Sequence, residues 1–200
     1  KCRYPTLSKY QKDLLRGILM SDGSVQFDEN NKFVFKMTTY KFLKWFCNQL
    51  NEIVPNRYPI LHQTSKESKE NAKKYFGNNV DSKSKYKEQY RVITRSHPFM
   101  NEFDNWYVPE KRYPLEGLDL TPTVAKIWYC GDGSLGKSKG RAEIACTNEM
   151  DRIDEVADLI RDKGFNVNTT KNGTIYIPPR DTPKFLDWMG DPPPDFEYKW

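Results

Sequence analysis

Two carboxylates stand in matching surroundings 110 residues apart. Asp22 closes the run Leu15-Arg16-Gly17-Ile18-Leu19-Met20-Ser21-Asp22-Gly23-Ser24, and Asp132 closes Ala125-Lys126-Ile127-Trp128-Tyr129-Cys130-Gly131-Asp132-Gly133-Ser134. Each is an apolar helical run broken by Asp-Gly-Ser. A carboxylate at the last turn of a helix is electrostatically misplaced, because that end carries partial negative charge. A lone Asp-Gly is most often a turn. Its recurrence with matched flanks instead points to function kept at a cost in stability, and a divalent cation is the natural partner for two such acids.

The elements that must position these acids repeat as well. Thr6 to Met20 reads as a helix, capped by Thr6 or Ser8, with Leu14, Leu15, Ile18 and Leu19 as its apolar stripe. Gly23 stops it. Strands follow at Ser24–Phe27 and Lys32–Thr38, the second placing Phe33, Phe35 and Met37 on one face and Lys32, Lys36 and Thr38 on the other. An amphipathic helix spans Tyr40–Ile53, two more strands Tyr58–Thr64 and Tyr90–Arg95, and a short helix Pro98–Tyr107. The order then recurs. A helix starts at Pro122, where proline is welcome, and runs to Cys130; strands, a helix over Asn148–Lys163, a hairpin of Asn166–Thr169 with Thr174–Ile177, and a helix over Thr182–Met189 complete it. The stretch Ser65–Gln89 fits no element and reads as an unstructured hairpin tip.

Composition supports a folded chain. Of 200 residues, 37% are hydrophobic and 14% aromatic, enough for a real core. The excess of five basic residues and a pI near 8.9 permit a polyanionic partner without requiring one. Cys2, Cys47, Cys130 and Cys146 form no CxxC pair, which argues against structural zinc and for reduced, buried thiols. Lys1-Cys2-Arg3-Tyr4-Pro5 lacks a signal-peptide core, and no stretch nears the roughly 18 apolar residues of a membrane span. An intracellular location (cytoplasm, nucleoid or organelle) is expected, without secretion and without a membrane. His97, before a proline, reads as structural, and Trp128 and Tyr129 read as packing residues.

The duplicated motif resembles the LAGLIDADG signature of homing endonucleases. Leu15, Gly17, Asp22 and Gly23 match it, and the second copy looks like the form with an aromatic pair, Trp128-Tyr129, found in single-chain members. The sixth position is Met20 or Cys130 where the consensus has Asp, and position three of the second copy is Ile127. Leu120-Thr121-Pro122 looks like that subgroup's lead-in. Lys111-Arg112-Tyr113-Pro114 resembles the segment carrying a catalytic-pocket lysine, and Phe196-Glu197-Tyr198-Lys199 its symmetry partner.

The resemblance implies an α+β fold of two pseudo-symmetric αββαββα repeats. Residues 1–107 form the first, with a Lys-rich insertion at 65–89; 108–120 are the linker; 121–200 form the second. Motif helices lie at the repeat interface, and antiparallel sheets make a DNA-binding saddle. The implied activity is metal-dependent double-strand cleavage of a long asymmetric DNA site by a monomer. Mg²⁺ is the implied cofactor, with Mn²⁺ as a substitute and Ca²⁺ binding without turnover. Asp22 and Asp132, with the backbone carbonyls of Ser21 and Gly131, would hold the metal; Lys111 and Lys199 would stabilise transition-state charge. Two unit charges about 4 Å apart repel by roughly 4 kcal/mol at an effective dielectric near 20, so the acids could not meet beside a phosphate without cations. The sheet faces assign Gln26, Lys32, Lys36, Thr38, His62, Arg91, Arg141, Glu143, Asn166 and Asn168 to DNA. Lys73, Lys74, Lys83 and Lys85 of the insertion would track phosphates. An RNA-binding intron maturase and a non-catalytic DNA-binding regulator on the same scaffold stand as alternatives.

Overall fold

The computed structural model describes residues 4–26, 31–76, 86–106, 115–136 and 140–200. Lys111, Lys83, Lys85, Cys2 and most of the expected linker lie outside them. The order is α1 (Lys9–Leu19), β1 (Gly23–Gln26), β2 (Lys32–Met37), α2 (Tyr40–Gln49), β3 (Ile60–Gln63), α3 (Ser65–Phe76) and β4 (Gln89–Ile93). Then come α4 (Pro122–Asp132), β5 (Gly133–Gly136), β6 (Arg141–Ala145), α5 (Ile153–Arg161), β7 (Asn168–Thr169), β8 (Thr174–Ile177) and α6 (Thr182–Met189). The strands make two antiparallel four-stranded sheets of the same topology, β1-β2-β4-β3 and β5-β6-β8-β7. This is the duplicated α+β architecture expected from the sequence.

Alternation explains each sheet. In β2, Phe33 and Phe35 are buried, Phe33 packing on Phe35 and Phe35 on Phe46 of α2, while Lys36 on the opposite face is exposed. In the second half, Ala142, Ile144, Ile175 and Ile177 face inward and are fully buried with Val156, Ala157, Ile160 and Phe185. One continuous apolar core links both halves through α1 and α4.

Helix ends follow their caps. Ser8 and Gln11 form a reciprocal capping box at the start of α1. Thr121 caps α4 just before Pro122. The Thr121 hydroxyl also donates to Asp13 Oδ2 across 3.0 Å, so one buried carboxylate ties the start of α4 to α1.

Several elements differ from the sequence reading. Part of the segment expected to lack structure is α3, whose start is closed by Thr64 and Glu67 bonding each other's backbone and side chain. The helix expected over Asn148–Lys163 divides into a 3-10 turn, Thr147–Arg152, and α5, because Glu149 leaves helical geometry at φ −115°, ψ 18°. Pro98–Trp106 is 3-10 rather than α. The strand expected from Asn166 starts two residues later, at Asn168.

Candidate metal centre and nucleic-acid interface

The two acids reach their places from adjoining helix ends. Asp132 is the last residue of α4, and Asp22 lies two residues past Met20, the cap of α1. The helices cross closely at both ends of their contact. A Cβ on Gly17 would lie 2.7 Å from both Ile127 Cβ and the Val124 carbonyl oxygen. A Cβ on Gly131 would lie 2.5 Å from Ser21 Cβ and Oγ and 3.3 Å from Asp22 Oδ2. Glycine at 131 therefore lets the second motif touch the first at its acid. A small residue in one copy suffices at position three, because Gly17 leaves room for Ile127.

The carboxylates are electrostatically frustrated. Burial first, then the neighbouring Asp22, pushes the Asp132 carboxyl up from 3.8 to about 7; Lys199 and a hydrogen bond with Trp128 oppose the rise. Burial raises the Asp22 carboxyl and Lys199 lowers it, although the residue keeps more of its surface open to solvent than Asp132 does. Lys199 is only 6% exposed. Its Nζ donates to the Cys130 carbonyl at 2.6 Å and to that of Tyr129 at 3.4 Å. Burial lowers its pKa against the pull of Cys130, Asp132 and Asp22. The Tyr129 hydroxyl donates in turn to the Lys199 carbonyl, 3.2 Å away.

Asp22, Asp132 and Lys199 thus converge, with Ser21 and Gly131 beside them. The donors are hard oxygens, and the carboxyl pair is disfavoured in its ionised state, which is the setting a hard divalent cation relieves. A cavity of about 290 Å³ opens beside Asp132, lined by Met20, Ser21, Trp128, Asn148 and Glu149 among others. That leaves room for water and phosphate oxygens. Among the described residues no three of His, Cys, Asp and Glu cluster as a complete metal site, so a cation held here would need carbonyls, water or a bound phosphate as further ligands. Burial pushes the Cys130 and Cys146 thiols up to about 12, which removes both as nucleophiles. Three cysteines, 47, 130 and 146, are free and buried, as expected.

The outward sheet faces are unequal. In the first sheet, register places Ser24, Gln26, Lys32, Lys36 and Arg91 on one face. Lys36 and Arg91 pair directly, and both depress the pKa of nearby His62, after burial. The Arg91 Nε is buried with no hydrogen-bond partner among the described residues, a donor left for an incoming acceptor. In the second sheet, Arg141 and Glu143 bond each other at 2.5 Å, and Arg141 lies 4.3 Å from the Tyr176 ring centroid. Asn168 is exposed on that same face, opposite Tyr176.

Two expected contacts sit elsewhere. Asn166 precedes β7, and its Nδ2 donates to the Asp181 carboxylate at 2.6 Å, so a structural bond occupies it. Thr38 lies one residue beyond β2, exposed in a bend. Lys73 and Lys74 are exposed on α3. His97 is structural, as read: its ring nitrogens engage Pro5 O at 2.7 Å and the Phe99 amide at 3.1 Å. Trp128 and Tyr129 are buried, yet each also serves the site, Trp128 through Asp132 and Tyr129 through Lys199. Their aromatic identity signals packing; only their position one turn from the acid could have revealed the second role. Asp13, which joins the motif helices, carried no signal in sequence.

Fold and site together define a pseudo-twofold scaffold with one acid contributed by each half. A profile of the LAGLIDADG DNA endonuclease family matches residues 12–185, and the chain belongs to that family. Its two motifs make it a single-chain member. Among solved structures it is similar to the homing endonuclease I-WcaI bound to its DNA recognition sequence, with TM-score 0.72, 15% identity, and coverage of 98% of this chain and 88% of that one. It also resembles mesophilic variants of the homing endonuclease I-DmoI (TM-score 0.51, 14% identity, 90% and 94% covered). I-DmoI in complex with DNA and Mn gives TM-score 0.50 at 13% identity, with 90% and 96% covered. A comparison with curated protein sequences returns no match. No helix among the described residues is long and apolar enough to cross a membrane.

Proposed function

We propose that the chain is a site-specific endonuclease that makes a metal-dependent double-strand break in a long, asymmetric DNA duplex, acting as an intracellular monomer. The observation that carries this reading is the contact of Gly131 with Ser21 and Asp22, which joins one acid from each half at the meeting ends of α1 and α4. Residues 1–107 and 121–200 each engage one half-site, joined by 108–120. Asp22, Asp132 and the carbonyls of Ser21 and Gly131 hold Mg²⁺, or Mn²⁺ in its place. The bound ions supply Lewis acidity and a water of lowered pKa. The residues do the rest. The acids fix the ions where the two halves meet, and the buried Lys199 ammonium stabilises charge developing on the phosphate. Lys111 is its proposed counterpart.

The sheet faces read the duplex with Gln26, Lys32, Lys36, His62, Arg91, Arg141, Glu143 and Asn168. An arginine matches guanine's paired acceptors, and a carboxylate accepts from cytosine. The two faces suit different sequences, which fits an asymmetric site. The exposed lysines of α3 track phosphates beyond the sheet. The deciding experiment is incubation of a randomised duplex library with Mg²⁺ and sequencing of the ends. Recurrent paired breaks at one sequence support the reading; binding without any cutting in Mg²⁺ or Mn²⁺ refutes it.

A further inference from the structure

The C-terminal segment of the second half crosses to the first before it delivers Lys199. After α6 the chain turns at Gly190 and reaches α2. There Asp195 Oδ2 accepts the Lys41 amide hydrogen bond at 3.0 Å. Lys41 is the second residue of α2, so its N–H has no partner within the helix. Thr39, the helix's own N-cap, makes no side-chain capping bond. The carboxylate from the other half therefore does the capping, at the helix end where negative charge is favoured.

Asp195 is held firmly for this role. Its φ of 71° is the one positive value among described non-glycine residues, a conformation that Asp and Asn tolerate best among side-chain-bearing residues. The next residue, Phe196, is buried edge-on against Phe42 of α2, with centroids 5.0 Å apart. A 3-10 turn, Glu197–Lys199, then fixes the step to Lys199, whose amide bonds the Phe196 carbonyl at 3.0 Å. Trp200 closes the segment by donating to the Gly190 carbonyl and packing on Tyr129.

We infer that Asp195 is a positioning residue for Lys199: by capping α2 it docks the C-terminal segment across the two halves and sets the amine at the end of α4. The inference rests on the proposed catalytic role of Lys199. It makes the placement of that amine depend on correct seating of one half on the other.

The test uses two substitutions. Asp195→Gly keeps the backbone conformation and removes the cap, while Asp195→Asn keeps both the conformation and an acceptor oxygen. Single-turnover cleavage of the duplex recovered from the library is measured for each, alone and with Lys199→Met. In the DNA-free protein, the rate at which an amine-acylating reagent modifies Lys199 is followed by mass spectrometry. Asp195→Gly is expected to slow cleavage about tenfold at unchanged DNA affinity, to speed acylation of Lys199, and to add nothing in the Lys199→Met background. Asp195→Asn is expected to restore both readouts. An additive loss in the Lys199→Met background, or unchanged acylation in Asp195→Gly, overturns the inference. If the wild type cuts no duplex, the nuclease reading fails instead, and the acylation rates still decide whether Asp195 holds Lys199.

Discussion

Asp22 and Asp132 occupy equivalent motif positions but unequal surroundings. Asp132 is half-buried, touched by Trp128 and held up at about 7, while Asp22 faces solvent. Each supplies a proposed metal ligand and no sheet contact. Asp22→Asn or Asp132→Asn is therefore expected to abolish double-strand cleavage while changing DNA affinity only a few-fold, measured by a cleavage assay beside equilibrium binding in Ca²⁺. The raised carboxyl also has a stability signature in metal-free protein. Between pH 4 and 7 the folded state holds a proton on Asp132 that the unfolded chain has released, so this group's contribution is lost as pH rises through about 7. Asp132→Asn removes that loss. Its melting temperature should exceed the wild type's at pH 8 in EDTA by a few degrees, about 2–4 °C per kcal/mol for a chain of this size, and the gap should close at pH 4. Saturating Mg²⁺ should raise the wild-type value and not the variant's.

At the scale of elements, the site depends on how near α1 and α4 can come. Gly17 and Gly131 each sit where a side chain would strike the partner helix. Gly17→Ala places a methyl 2.7 Å from both Ile127 Cβ and the Val124 carbonyl oxygen, and neither can move without its backbone. The variant is expected to lose about 1–3 kcal/mol in thermal or denaturant unfolding. Adding Ile127→Ala should recover little of the loss, since of these contacts it removes only Cγ2 at 3.3 Å and leaves both the Cβ of residue 127 and the Val124 carbonyl in place. Gly131→Ala should cost stability at least as much, because its methyl would lie 2.5 Å from Ser21 Cβ, and should also slow catalysis, because it meets Asp22 at the proposed metal centre. Single-turnover rates set against melting temperatures separate the two effects.

Across the whole molecule, two halves of one topology have diverged in charge. The first sheet presents Lys32, Lys36, Arg91 and His62, while in the second Arg141 is neutralised by Glu143. The first half also carries α3, where the second connects its last two strands by a short turn. Lys66, Lys69 and Lys73 follow at helical spacing on the exposed side of α3, with Lys74 beside them, and Ser68 and Ala72 are half-buried opposite. If these lysines track phosphates, changing Lys66, Lys69, Lys73 and Lys74 to Ala should weaken binding to all duplexes alike. The slope of log K against log salt should flatten by about 0.9 for each phosphate no longer neutralised, or roughly two to four units. Base preference should hold, because phosphate contacts position without specifying. An unchanged slope would assign α3 to solvent.

Much of this protein is determined by local sequence. Alternation in Lys32–Met37 and Arg141–Ala145 sets which face each strand buries, and Ser8, Thr121 and Pro122 set where the motif helices begin, because these effects act within a few residues. The repeat of Asp-Gly-Ser revealed the paired acids for the same reason. Local reading also misled. The Lys- and Ser-rich stretch concealed α3, which is stabilised by the Thr64–Glu67 box and by a half-buried face rather than by an apolar stripe. Asn166 has a polar side chain at a strand-like spacing, yet a partner 15 residues away claims it. Tertiary structure alone decided the rest: that Gly131 meets Ser21, that burial and Asp22 raise the Asp132 carboxyl, that Asp13 holds Thr121 and that Asp195 caps α2. Each joins groups far apart in the chain or shifts a carboxyl by burial, and neither distance nor burial exists until the two halves pack together.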